Sequence, residues 1–160
     1  MGASTQKPLA APLRLLLRIP VPWVFVLTYL VGVALERVRP TRFLAGMTAV
    51  GAMVFLVGAV IAGWGLWTFR AARTTTIPGE VSATFVTWGP YRFSRNPMYV
   101  GLTVAYLGEA GILQQFWPVV LLPVTLIYVN WVVIPLEERT LLDVFDGTYE
   151  DYRRRVRRWI

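Results

Sequence analysis

Apolar residues gather into four long runs separated by shorter polar stretches. Ile19 to Leu35 is free of charge for 17 residues and meets Glu36 and Arg37. Phe43 to Phe69 runs 27 residues without a charge. Met98 to Leu113 and Phe116 to Leu136 follow, interrupted by Glu109 and parted by Gln114 and Gln115. About 20 apolar residues cross a bilayer, with 17 near the lower limit. The pattern predicts an all-α integral membrane protein with about four transmembrane helices, over 19–35, 43–69, 98–113 and 116–136, the last two as a tight helical hairpin. Pro20 and Pro22 suit the start of the first, where a missing N–H costs least. Gly46, Gly51, Gly58, Gly63 and Gly65 give the second a surface that another backbone can approach closely.

The polar stretches complete the plan. Residues 1–18 read as a flexible tail without a cleavage signal, and 19–160 as one domain. The connector 70–97 is rich in turn signals, with a Thr74-Thr75-Thr76 run, Pro78-Gly79 and Trp88-Gly89-Pro90. Connectors of that length are often functional. Glu137 to Ile160 is charged and predicts amphipathic helices outside the membrane. Leu141, Leu142 and Phe145 mark one, Asp146-Gly147 ends it, and Thr148 with Asp151 forms a capping box for the next. Tyr149, Tyr152, Val156 and Trp159 then share one helical face.

Charge fixes an expected orientation. With both termini cytosolic, thirteen of the sixteen Lys and Arg residues face inward, and only Arg37, Arg39 and Arg42 face out. Cytosolic loops carry such an excess. The connector and the C-terminal helices are therefore expected on the cytosolic side of the inner membrane. The net charge of +7 and pI near 10.4 would also suit nucleic acid, but 56% hydrophobic and only 16% charged residues point instead to anionic lipid headgroups. No nucleic-acid partner is expected. With neither Cys nor His in the chain, thiol nucleophiles, Ser-His-Asp triads and Cys or His zinc sites are excluded. No metal centre is expected.

Three groups of residues carry candidate chemistry. Gly89-Pro90-Tyr91-Arg92-Phe93-Ser94-Arg95-Asn96-Pro97-Met98-Tyr99 lies where the connector enters the third helix. One account is structural: Asn96 as N-cap, Pro97 at the first helical position, the tyrosines in an interfacial belt. The other is an anion site made by a helix N-terminus with Arg92 and Arg95. Glu137-Glu138 leaves the fourth helix. Adjacent carboxylates beside an apolar end are costly unless partnered, and they suit ribose hydroxyls or a cationic ligand. A hairpin returns them to the membrane face of Asn96, so one pocket can hold both groups. Glu109 is an intramembrane carboxylate and a candidate by that fact, though it also fits an interfacial position. Arg153 to Arg158 reads as a solvated or lipid-contacting face.

Read in order, Thr75-Thr76-Ile77-Pro78, Gly89-Pro90-Tyr91, Arg95-Asn96-Pro97-Met98-Tyr99, Glu137-Glu138 and the ending through Phe145, Tyr149, Tyr152, Val156 and Trp159 resemble the isoprenylcysteine carboxyl methyltransferase family in its short bacterial form, and the related phospholipid methyltransferases. The resemblance implies a few membrane helices and a cytosolic pocket for S-adenosylmethionine, with a prenylated or lipid-like acceptor arriving from the bilayer. It places Tyr91, Arg95, Asn96, Pro97, Met98, Tyr99, Glu137 and Glu138 around the cofactor. Gly63 and Gly65 look like the Gly-x-Gly pair of phospholipid methyltransferases. Asn96 stands where isoprenylcysteine enzymes usually carry His, as in the phospholipid enzymes. The implied reaction is O-methylation of an isoprenylcysteine-type carboxylate, with Arg92 or Arg95 orienting it and Glu137 or Glu138 holding the cofactor. An amine acceptor, as in aminophospholipid N-methylation, would need Glu138 as base. A nicotinamide-dependent membrane reductase and a lipid-binding adaptor are the alternatives of another class.

Overall fold

The computed structural model describes residues 20–41, 46–72 and 85–160, and all regular structure among them is helical. In chain order these are α1 (Val21–Val38), α2 (Thr48–Ala71), a 3-10 turn (Gly89–Arg92), α3 (Pro97–Ile112), α4 (Phe116–Tyr128), a π-helical turn (Val129–Val133) and α5 (Ile134–Arg155). α4 runs through the π turn into α5, so the chain is one helical rod from Phe116 to a kink at Asp146. Its apolar part ends at Leu136, and its charged part begins at Glu137. The rod breaks at Asp146, where φ is +40°. The Thr75 to Pro78 element lies outside the described residues.

Among the described residues three helices are long and apolar enough to cross a bilayer: α1, α2 and the rod that begins at Phe116. The other expected span forms the 16-residue α3, about 24 Å long at 1.5 Å per residue. That is short of a hydrocarbon core of about 30 Å. α2 also starts later than the apolar pattern suggests, at Thr48 rather than Phe43. Gly46 at φ +80° turns the chain just before it, a conformation that glycine adopts without steric penalty.

Small residues decide which helices pair. Gly51, Gly58 and Gly65 lie seven apart on α2; the first two face Gly101, Gly108 and Gly111 of α3, and Gly65 faces Met98. A Cβ at Gly58 would run into the backbone of Ala105, one at Gly101 into Ala62, and one at Gly108 into Phe55. The two backbones therefore touch, and α3 packs on α2 along its length. Gly63 faces open space instead. On the other side, Gly32 of α1 admits Pro118 of α4. Glu36 ties the same pair by accepting the N–H groups of Phe116 (2.9 Å) and Trp117 (3.1 Å). One helix thus caps the exposed N-terminal donors of another. α3 and α4 meet much less, so the expected hairpin is splayed. Val21, Phe25 and Tyr29 of α1, Tyr99 and Tyr106 of α3, and Leu122 and Val129 beyond them fill the core.

This seam carries a prediction. Gly58→Ala should lower stability by about 1–3 kcal/mol, the usual range for overpacking. Gly63→Ala should leave stability unchanged or slightly raised, because no atom lies near the added methyl and alanine favours helix. Thermal unfolding in detergent compares them, and equal midpoints would refute the seam.

Candidate active site

The π turn and the rod bring Glu137 and Glu138 to the end of the bundle where α3 begins. Glu138 accepts from Arg95 Nη1 at 2.7 Å and from Arg158 Nη2 at 2.7 Å. The Glu138 and Arg95 side chains are 10% and 11% exposed, while Arg158 is 33% exposed. One turn into α3, the Tyr99 hydroxyl donates to Glu137 Oε1 at 2.6 Å. The two carboxylates therefore serve different partners. One sits between two guanidinium groups, and the other accepts from a phenol. Enclosure of the Glu137 carboxyl pushes its pKa up to about 7, with the Glu138 charge adding and the Tyr99 hydrogen bond opposing.

The chain after α5 crosses over this cluster. Val156 is extended (φ −116°, ψ 131°), so the last five residues form a strap across the turn before α3. The Arg95 N–H donates to the Arg157 carbonyl at 2.9 Å. Asn96 Nδ2 donates to the Arg158 carbonyl at 2.9 Å, and Ser94 Oγ to the same oxygen at 3.4 Å. Asn96 occupies the N-cap position but makes no capping bond; its amide holds the strap instead. The Tyr152 hydroxyl donates to the Tyr91 carbonyl at 2.7 Å. Phe85 stacks edge-on to Tyr149 and Tyr152 and closes the outer side with aromatic surface. Burial, and then the Glu138 charge, raise the Tyr149 hydroxyl pKa against the pull of Arg95.

The expected residues divide clearly. Tyr91, Arg95, Asn96, Tyr99, Glu137 and Glu138 come together, and Pro97 is buried at the start of α3. Met98 packs on Gly65, where an added Cβ would lie 2.6 Å from the Met98 side chain. Gly63 points away from this contact into open space. Arg92 is exposed and stands apart from the cluster's hydrogen bonds among the described residues, and Glu109 is exposed far along α3, towards the other end. Arg158 is the residue that the sequence concealed. It sits among five arginines of the last turn and tail that read as a solvated face. Only the end of the helix at Arg155 and the extended Val156 turn it inward.

Two buried polar atoms in the cluster, the Tyr91 hydroxyl and Arg95 Nε, have no hydrogen-bond partner among the described residues. Such groups are rare in a folded interior, where burial without a partner costs about 1–3 kcal/mol. Tyr91 lies close enough to Glu137 for the carboxylate, after burial and Tyr152, to raise its pKa. Donors and acceptors of both signs thus converge on one small volume. That combination suits a ligand that is itself zwitterionic.

The pattern of one family, described as phospholipid methyltransferase, matches residues 47–147. The match takes in the α2–α3 seam, the Arg95 to Tyr99 turn and both glutamates, and it stops before the strap. The chain is also 39% identical over 66 residues to methanethiol S-methyltransferase 1 of Bradyrhizobium diazoefficiens, which covers 41% of this chain. The matched stretch spans only 22% of that protein's length. No solved structure matches the chain.

Proposed function

Because the chain belongs to the phospholipid methyltransferase family, we propose that it transfers the sulfonium methyl group of S-adenosylmethionine to a lipid-soluble acceptor at the cytosolic membrane face. The observation that supports this reading is a pair of buried donors with no partner among the described residues, the Tyr91 hydroxyl and Arg95 Nε, beside Glu137 and Glu138. An amino-acid end needs donors for its carboxylate and acceptors for its ammonium, and these four residues supply both. When bound, the cofactor contributes an activated methyl group. The chain's part is to orient it, to exclude water with Phe85, Tyr149 and Tyr152, and to hold the acceptor in line.

For the acceptor, an isoprenylcysteine-type carboxylate is the first reading. It arrives ionised and needs no base. A thiol is the second, favoured by Glu137: a carboxyl raised to about 7 is well placed to take a proton near neutral pH. The thiol-methylating relative points the same way. Arg95 Nη1 is bound to Glu138 and its Nε is assigned to the cofactor's carboxylate, which leaves this residue less available to orient the acceptor's.

Calorimetry with S-adenosylhomocysteine in detergent should give saturable heat. Tyr91→Phe removes only a partnerless hydroxyl, so its thermal midpoint should match the parent while affinity falls about tenfold, the worth of one hydrogen bond to a charged group. No heat from the parent protein, or retention of NADPH in its place, overturns the reading. Labelled methyl donor offered with an S-farnesylated cysteine derivative, phosphatidylethanolamine and a long-chain alkanethiol then assigns the acceptor.

A further inference from the structure

The splay of α3 from α4 leaves a groove of about 490 Å³, within the size range of small-molecule sites. Val100, Thr103 and Val104 form one wall, and Leu126, Ile127 and Asn130 form the other. The Thr103 hydroxyl is spent on the Tyr99 carbonyl at 2.8 Å. Apart from the Trp131 and Trp159 indoles, Asn130 is thus the polar side chain that the groove retains among the described residues. It stands inside an apolar membrane segment, where an amide is costly unless paired. Its place follows from the π turn Val129–Val133, whose extra residue per turn rotates Asn130 off the ordinary helical track. Such turns recur at functional positions.

The partner of Asn130 is Trp159, whose indole N–H donates to Asn130 Oδ1 at 3.0 Å. Trp159 also lines the groove. Its chain neighbour Arg158 pairs with Glu138, and the Arg158 carbonyl is held by Asn96. The indole is therefore the partition between the apolar groove and the polar cluster. One side of the strap serves the carboxylate, and the next residue serves the groove.

We infer that Asn130 is a positioning residue: it holds the Trp159 indole at the junction, so that the acceptor's apolar tail lies in the groove while its reactive head enters the cluster. This rests on the methyl-transfer reading for the identity of the acceptor. The groove takes the tail because its walls are apolar and because Trp159, which lines it, directly follows Arg158, which pairs with Glu138.

The test uses the full chain in nanodiscs with a 15-carbon alkyl chain bearing a terminal diazirine. Photolabelling should be saturable, should fall on the peptides containing Val100 to Val104, Leu126 to Asn130 and Trp159, and should be displaced by excess unlabelled chain. Asn130→Val and Trp159→Phe should each cut labelling of the Trp159 peptide about fivefold, in keeping with the loss of one interhelical hydrogen bond in lipid. Both should raise KM for a long-chain acceptor by a similar factor, leave kcat and the KM of a short-chain acceptor unchanged, and keep S-adenosylhomocysteine binding intact. Labelling spread evenly over outward residues such as Trp23 and Leu56, or unchanged by both substitutions, overturns the inference. Absence of S-adenosylhomocysteine binding with saturable groove labelling removes the methyltransferase reading and leaves the partition standing.

Discussion

Replacing Glu138 with Ala should unpair two guanidinium groups at once and abolish function. Arg95 is 11% exposed and has no carboxylate within reach other than Glu138 among the described ion pairs. Removing one member of a buried pair leaves an uncompensated charge, which costs about 3–5 kcal/mol. Arg158, at 33% exposure, keeps much of its hydration, so Arg158→Ala should cost only about 1 kcal/mol or less. The two substitutions share a partner and should not add, and the double variant should be close to Glu138→Ala alone. Glu138→Gln separates charge from hydrogen bonding: it can still accept from one arginine, and it should recover part of the stability while S-adenosylhomocysteine affinity stays low. Thermal unfolding and calorimetry on the same samples give both readouts. A stable Glu138→Ala protein with parental affinity would remove the cluster from the proposed site.

The sequence disclosed the ingredients of this cluster and left its closure hidden. The four apolar runs fall on helices because a long uncharged segment has no other way to satisfy its backbone in lipid. The two ends of the site were legible because Arg95 to Tyr99 and Glu137-Glu138 each sit at the edge of an apolar run, and a return of the chain between them puts both edges at one depth. Helix pairing was less legible. Gly51 and Gly58 are as small as Gly63, yet only contact with α3 distinguishes them, and short separation in sequence wrongly favoured a tight α3–α4 hairpin over the pairs α2–α3 and α1–α4. Asn96 shows a similar limit: an asparagine before Pro97 has the local chemistry of an N-cap, and a distant carbonyl, that of Arg158, takes its amide. Arg158 itself was masked by its neighbours, since five arginines within six residues carry no mark of which one turns inward. Competition from tertiary contacts decided each of these cases.

Glu137→Gln should make the protein more stable and less active, with both effects growing as pH rises. A carboxyl whose folded pKa is raised to about 7, against about 4.3 when unfolded, binds protons more tightly in the native state. Its contribution to stability is fully present below the unfolded value and is lost as pH rises through 7. Glutamine has the shape of the protonated form and can still accept from the Tyr99 hydroxyl, which donates to Glu137 at 2.6 Å, but it does not titrate. Parent and variant should therefore unfold alike near pH 4.5 and diverge at pH 8, the variant ahead by roughly 3 kcal/mol at about 1.4 kcal/mol per pKa unit. Activity moves the other way. If a thiol or an ammonium must give up a proton, the parent rate climbs through pH 7 as Glu137 ionises, and the variant loses that limb together with about 10²–10⁴-fold in rate. An acceptor that arrives as a carboxylate asks nothing of this group, and its rate should survive the substitution with a flat profile. The same two proteins, assayed from pH 5.5 to 8.5, thus decide between the two acceptor chemistries. Parallel stability curves for parent and variant across that range would show that Glu137 is not held in its protonated form, and the case for it as the proton acceptor would fall.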